Sequence, residues 1–114
     1  MPRREVAFSG YRTMWLFAMF DLPVKTRRDK RNYVRFRNLL LDAGFCQMQF
    51  SVYARVCPTE EAAETYARRV RDQVPANGHV RLLAVTDRQF GKMEVYFGKK
   101  RLEVESEPTQ LALF

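Results

Sequence analysis

Asp21 closes an apolar run, MWLFAMFD from Met14 onward, and a row of basic side chains follows it. Lys25, Arg27, Arg28, Lys30, Arg31, Arg35 and Arg37 fall within thirteen residues, interrupted by only one acid, Asp29. A carboxylate at the end of a rigid element beside a cationic row suggests phosphodiester chemistry or the handling of nucleic acid. Two readings of Asp21 stand side by side. It either caps the turn that leads to Pro23 or ligates a divalent cation. Magnesium prefers an octahedral oxygen shell, so a single carboxylate is a poor site. A homodimer whose axis passes near this strand would bring two copies of Asp21 together. Two adjacent carboxylates repel unless a cation lies between them, so a magnesium shared between protomers makes sense only in the dimer.

Ser51, Tyr53 and Arg55 recur at every second position and share a strand face. They serve solvation or hydrogen bonding across a dimer. Alternatively, Ser51 holds a metal-bound water and Arg55 steadies a phosphate, whose oxygens suit its planar fork. His79 is the lone histidine, and it stands beside Gly78 at the start of a strand. With so few acid–base groups, any hydrolysis must rest on metal-activated water. Cys46 and Cys57 have no CxxC spacing, which argues against zinc and for reduced thiols in a cytoplasmic protein.

The basic row is the strongest binding signal. Solubility is usually served by charges of mixed sign, whereas tracking a phosphate backbone needs a cationic row and reads no sequence. Lys25, Arg27, Arg28, Arg31 and Arg35 are the expected phosphate contacts, on double-stranded DNA or on RNA. A formal net charge of +7 over 114 residues agrees with a polyanionic partner. No glycine loop of the Walker type and no RNA-recognition aromatic signature occurs. No stretch approaches the roughly 18 apolar residues that span a membrane.

The elements that must position these residues follow from periodicity. Residues 14–21 are apolar on both alternating faces, with Trp15, Phe17 and Met19 on one and Leu16, Ala18 and Phe20 on the other. Such a strand must be covered on both sides. Thr26 and Asp29 suit the start of a helix that runs to about Ala43, with Gly44 as its left-handed stop. Residues 45–56 alternate almost without error, which predicts one long strand with Cys46, Met48, Phe50, Val52, Ala54 and Val56 on its apolar face. Pro58 and Thr59 open a second helix with Ala63, Tyr66, Val70 and Val74 as its buried stripe. Residues 80–86 and 93–97 read as a third and a fourth strand.

This order predicts an α+β, ferredoxin-like split β-α-β domain over residues 14–98, with a four-stranded antiparallel sheet and two helices on one face. The other face is then bare, and a homodimer through it would cover Trp15, Phe17 and Met19, with Tyr53 near the rim. Residues 1–13 form an N-terminal extension. Residues 99–114 form a charged connector and a short C-terminal strand, QLALF, expected to join the partner protomer's sheet.

Taken together, FDLPVKTRRDKRNYVRFRNLLLDAGF, QMQFSVYARVCP and VPANGHVRLLAVTDRQFGKMEVYFG resemble the family of CRISPR-associated protein two, in the form found in type II systems. The resemblance implies a ferredoxin-like homodimer that binds double-stranded DNA and bridges two dimers of the spacer integrase during spacer acquisition. It also implies a magnesium-dependent endonuclease activity, variable among family members, with Asp21 at the metal-ligand position and Ser51 and Arg55 in the second-strand motif. A stand-alone, toxin-like endoribonuclease of the same fold is the alternative.

Overall fold

Two hydrophobic faces on one strand organise the chain. The structure, a computed structural model, describes residues 12–107. Its central strand, β1 (Met14–Asp21), pairs antiparallel with two neighbours. The remaining elements are α1 (Arg27–Asp42), β2 (Cys46–Gln49), β3 (Val52–Cys57), α2 (Glu60–Arg71), β4 (His79–Thr86), α3 (Asp87–Gly91), β5 (Val95–Phe97) and β6 (Lys100–Leu102). The main sheet has the order β2-β3-β1-β4, and β5 and β6 form a separate pair. An antiparallel sheet in this order with α1 and α2 on one face is the ferredoxin-like arrangement expected.

The even-numbered face of β1 builds the main core. Leu16, Ala18 and Phe20 pack with Phe36 and Leu40 of α1 and with Ala63, Ala67 and Val70 of α2. The opposite face is not wholly bare. Trp15 stacks on Phe90 of α3 with ring centroids 3.9 Å apart, and its Nε1 donates to Asp87 Oδ1 at 2.7 Å. Phe17, Met48, Val56, Val85, Met93 and Val104 pack around this second cluster. The chain therefore covers one end of that face itself and leaves Trp15 only 4% exposed. Residues 86–89, Thr-Asp-Arg-Gln, carry the helix signal that placed α3 there. Thr86 Oγ1 accepts from Gln89 N at 3.0 Å, and Gln89 Oε1 accepts from Thr86 N at 2.9 Å.

Two expectations about strands need correction. The single long strand over 45–56 is a hairpin, turned at Phe50 and Ser51. Cys46 pairs with Ala54 and Gln47 with Tyr53, but Gln49 pairs with Val52, a register shift of one residue. That bulge restores parity across the turn, so even-numbered residues stay on one face through both arms and imitate an unbroken strand. The second correction follows from the first. The sheet's four strands are complete at β4, and residues 95–97 pair with 100–102, inside the expected connector.

The even-numbered face of this hairpin is the one turned away from the helices. Ala54, Val56 and Met48 join the Trp15 cluster, while Tyr53 and Cys57 lie fully buried under the helices. Tyr53 was expected at the rim of a dimer on the other face. Its place opposite Ala18 in the register explains why it is not there. Burial also pushes the Cys57 thiol pKa upward, against the partial opposing effect of Arg55. The apolar segment at 110–114 and residues 1–11 lie outside the described residues.

Helix α1 ends as expected, with Gly44 at φ +90°. A Cβ on Gly44 would fall on the Arg55 guanidinium as well as strain the backbone. Gly44→Ala should therefore lower the urea midpoint by the equivalent of about 1–3 kcal/mol. An unchanged midpoint would show that the α1–β2 corner has another way to close.

Candidate nucleic-acid interface and strand-end carboxylate

The sequence folds α1 with its apolar stripe inward, so its charges have only one direction left. Thr26 Oγ1 accepts from Asp29 N at 2.9 Å, and Asp29 Oδ2 accepts from Thr26 N at 3.1 Å. This capping box commits the one acid within the basic row to the helix end. Phe36 and Leu40 are buried, whereas Lys25, Arg27, Arg28, Lys30, Arg31 and Arg35 are exposed. Arg35 Nη1 lies 3.4 Å from Asn32 Oδ1, a weak contact. Among the described residues no carboxylate pairs with this row. The contrast is α2, where Glu64 meets Arg68 at 3.8 Å and Arg71 at 3.5 Å.

Two depressions border the row. A shallow groove of about 750 Å³ runs along Arg27, Lys30, Arg31, Arg35 and Asn38. A polar cleft of about 440 Å³ separates Arg28, Asn32 and Arg35 from Gln73 and Asn77, beyond the end of α2. Arg27, Arg28, Arg31 and Arg35 thus share one helix surface and flank two concave features, whereas Lys25 precedes the helix and lines neither.

Asp21 lies exposed at the end of β1, on the face turned away from the helices. His79 is its partner in β4, and Arg81 is opposite Met19. Opposed residues in an antiparallel pair share a face, so Asp21, His79 and Arg81 meet at one corner of the sheet. The antiparallel register of β4 on β1 is what brings His79 there, a pairing that residue types alone do not show. Phe20 N donates to Ser51 O at 3.1 Å, which brings Ser51 to the same end.

Arg55 is elsewhere. It stands four residues along from Ser51, roughly 13 Å at strand rise, and on the helix side opposite Leu16. Its Nη1 donates to Ala43 O and its Nη2 to Tyr66 Oη, each at 2.9 Å. The guanidinium carbon also lies 4.0 Å from the centroid of the Tyr66 ring. These contacts tie the end of α1 to α2 and leave Arg55 no free fork for a phosphate. The structure therefore gathers Asp21 and Ser51 but separates Arg55 from them.

The described residues contain no cluster of three potential metal ligands. One chain offers magnesium a single carboxylate at this corner, too few anionic ligands for a site of its own.

A family model described as CRISPR associated protein Cas2 matches residues 14–93, from the first residue of β1 to just beyond α3. The chain belongs to the Cas2 family. A protein of Parvibaculum lavamentivorans is 50% identical over 101 residues, which cover 89% of this chain and all of that one. A protein of Flavobacterium psychrophilum is 42% identical over 104 residues, 91% of this chain and 90% of its own. Both are named CRISPR-associated endoribonuclease Cas2. The family match covers the sheet, the basic helix and Asp21, and it ends before the β5–β6 pair.

Arg55→Lys should reduce stability by about 1–3 kcal/mol, because one ammonium cannot replace two directed bonds and the contact with Tyr66. Denaturation of the variant beside a duplex-binding assay checks this. Normal stability with impaired binding would return Arg55 to the phosphate site.

Proposed function

We propose that this Cas2-family protein is a dimeric scaffold for double-stranded DNA in CRISPR spacer acquisition, bridging integrase subunits. The observation that carries the DNA reading is the exposed face of α1. Six basic and two acidic side chains make α1 strongly cationic, whereas α2 balances three against three. A row of this kind recognises phosphates without reading bases. Dimerisation draws support from the half of the open face that α3 leaves uncovered, where Leu83 is 50% exposed and Phe17 and Met19 are only half-buried. The integrase as partner rests on family membership.

Reversing charge in Arg31→Glu/Arg35→Glu should abolish duplex binding while the unfolding midpoint stays near that of the parent. For the unaltered protein, affinity should fall steeply with salt and depend little on sequence. Removing a single basic side chain that neutralises a phosphate should reduce the log–log slope by about 0.9. Duplex affinity that survives the double reversal would make the row an ordinary solvated face.

A second reading is metal-dependent cleavage of a phosphodiester, in keeping with the name of the relatives and the exposed Asp21. In a dimer through the open face, a second Asp21 would supply the carboxylate that one chain lacks. A divalent cation there would furnish an activated water and neutralise developing charge. Asp21 would hold that cation, while His79 and Arg81 border the same corner. Asp21→Asn separates the readings. Cleavage of RNA or DNA should disappear in the variant, and spacer integration should persist. Lost integration with the fold intact would make Asp21 essential to the scaffold's work.

A further inference from the structure

With Arg55 tied beneath the helices, a phosphate resting against Asp21 would meet a carboxylate and no guanidinium from β3. Arg81 fills that gap. It lies in β4 opposite Met19, two residues along from His79, the partner of Asp21. Residues two apart on a strand share a face, so Arg81 and Asp21 are diagonal neighbours within reach of a long side chain. Arg81 is exposed, and the ion pairs among the described residues join Glu64 to Arg68 and Arg71, not to Arg81. Its surroundings on that face are apolar, with Met19 across the strands and Leu83 two residues on. The remaining arginines of the open face lie elsewhere. Arg12 precedes the far end of β1, Arg88 belongs to α3 over that same far end, and Arg101 borders α3.

We propose that Arg81 contacts the scissile phosphate beside Asp21 and stabilises the charge that builds on its nonbridging oxygens during cleavage. In the cleavage reading above, on which this rests, Arg81 takes the role that residue types gave to Arg55. A lone carboxylate repels a phosphodiester, and a guanidinium diagonal to it offsets that repulsion where the two would meet. In hydrolysis a water oxygen bonds to phosphorus, and the bond from phosphorus to the leaving ester oxygen breaks. The water gives up one proton, and the leaving oxygen takes one up to end as a hydroxyl. Between these events negative charge concentrates on the two nonbridging oxygens, which match the planar fork of a guanidinium. The apolar surround at Met19 and Leu83 holds few competing waters, which strengthens such a contact.

The test is steady-state cleavage of labelled RNA and DNA by the full chain with magnesium, beside sedimentation, the unfolding midpoint and duplex binding without metal. Arg81→Gln should lower kcat about 100-fold and raise KM less than about threefold, because the contact strengthens as charge develops. Arg81→Lys should recover part of the loss. Added guanidinium ion should restore turnover to Arg81→Gln and leave Asp21→Asn inert. Duplex affinity should stay within about twofold of the parent, since α1 carries that binding. Unchanged kcat in Arg81→Gln overturns the assignment. Dissociation of a dimer on that substitution overturns it too, since the guanidinium would then be an interface contact. Cleavage lost in Asp21→Asn but kept in Arg81→Gln sinks the role of Arg81 alone, whereas a parent that cleaves neither RNA nor DNA sinks the cleavage reading and the assignment together.

Discussion

Strand β1 is apolar on both faces, and the rest of the fold meets that constraint. An apolar side chain left in water forgoes about 1.5–3 kcal/mol of burial, so neither face can stay open along its whole length. Leu16, Ala18 and Phe20 require α1 and α2 on one side. Trp15 requires a cover on the other, and the chain supplies it with Phe90. Because β1 also pairs on both edges, its C-terminal end is held on one side by Phe20 N, which donates to Ser51 O in the β2–β3 turn, and on the other by the pairing of Asp21 with His79 of β4. Asp21 is exposed because it ends the strand on the half of the open face that α3 leaves uncovered.

The same geometry divides the arginines by task. Arg55 points under the helices, where its two bonds and the Tyr66 ring fix the corner between α1 and α2. Gly44 makes that corner passable, since any side chain there would occupy the space of the guanidinium. The α2 arginines are partly neutralised by Glu64. Only α1 presents guanidinium groups that are exposed, repeated and unpaired among the described residues. A stabilising arginine and one left free to bind are thus distinguished by their neighbours, and residue type alone does not separate them.

Local signals carried much of this in the sequence. Thr26 with Asp29, Gly44, the two faces of residues 14–21 and the stripes of both helices appear where their spacing places them. Non-local pairing was the obstacle. A bulge at Met48 preserved side-chain parity across a turn, so a hairpin read as one strand. The polar types of Tyr53 and Arg55 suggested a dimer rim and a phosphate site, whereas their register on Ala18 and Leu16 puts both on the helix side. Counting β5 in the sheet offset that miscount, and the four-stranded result survived two errors. The Thr86–Gln89 capping box was legible but followed a strand so closely that it passed for its end. Nothing in the residue types announced that His79 would face Asp21, because only the register of β4 on β1 does so.

Electrostatic cost gives the basic helix its functional meaning. Arg27, Arg31 and Arg35 recur at four-residue spacing, where like charges cost an isolated helix about 0.2–0.5 kcal/mol per pair. Glu64 relieves such repulsion on α2, and Asp29 cannot do so fully on α1 while it closes the capping box. Apolar burial at Phe36 and Leu40 is large enough to hold the helix despite the penalty. An arriving phosphate backbone would relieve it, and the released counterions would add to the gain. The least neutralised helix starts six residues beyond Asp21, at the same end of the sheet. On the proposed reading, one polyanion held along α1 would lie at the same end of the sheet as the carboxylate corner.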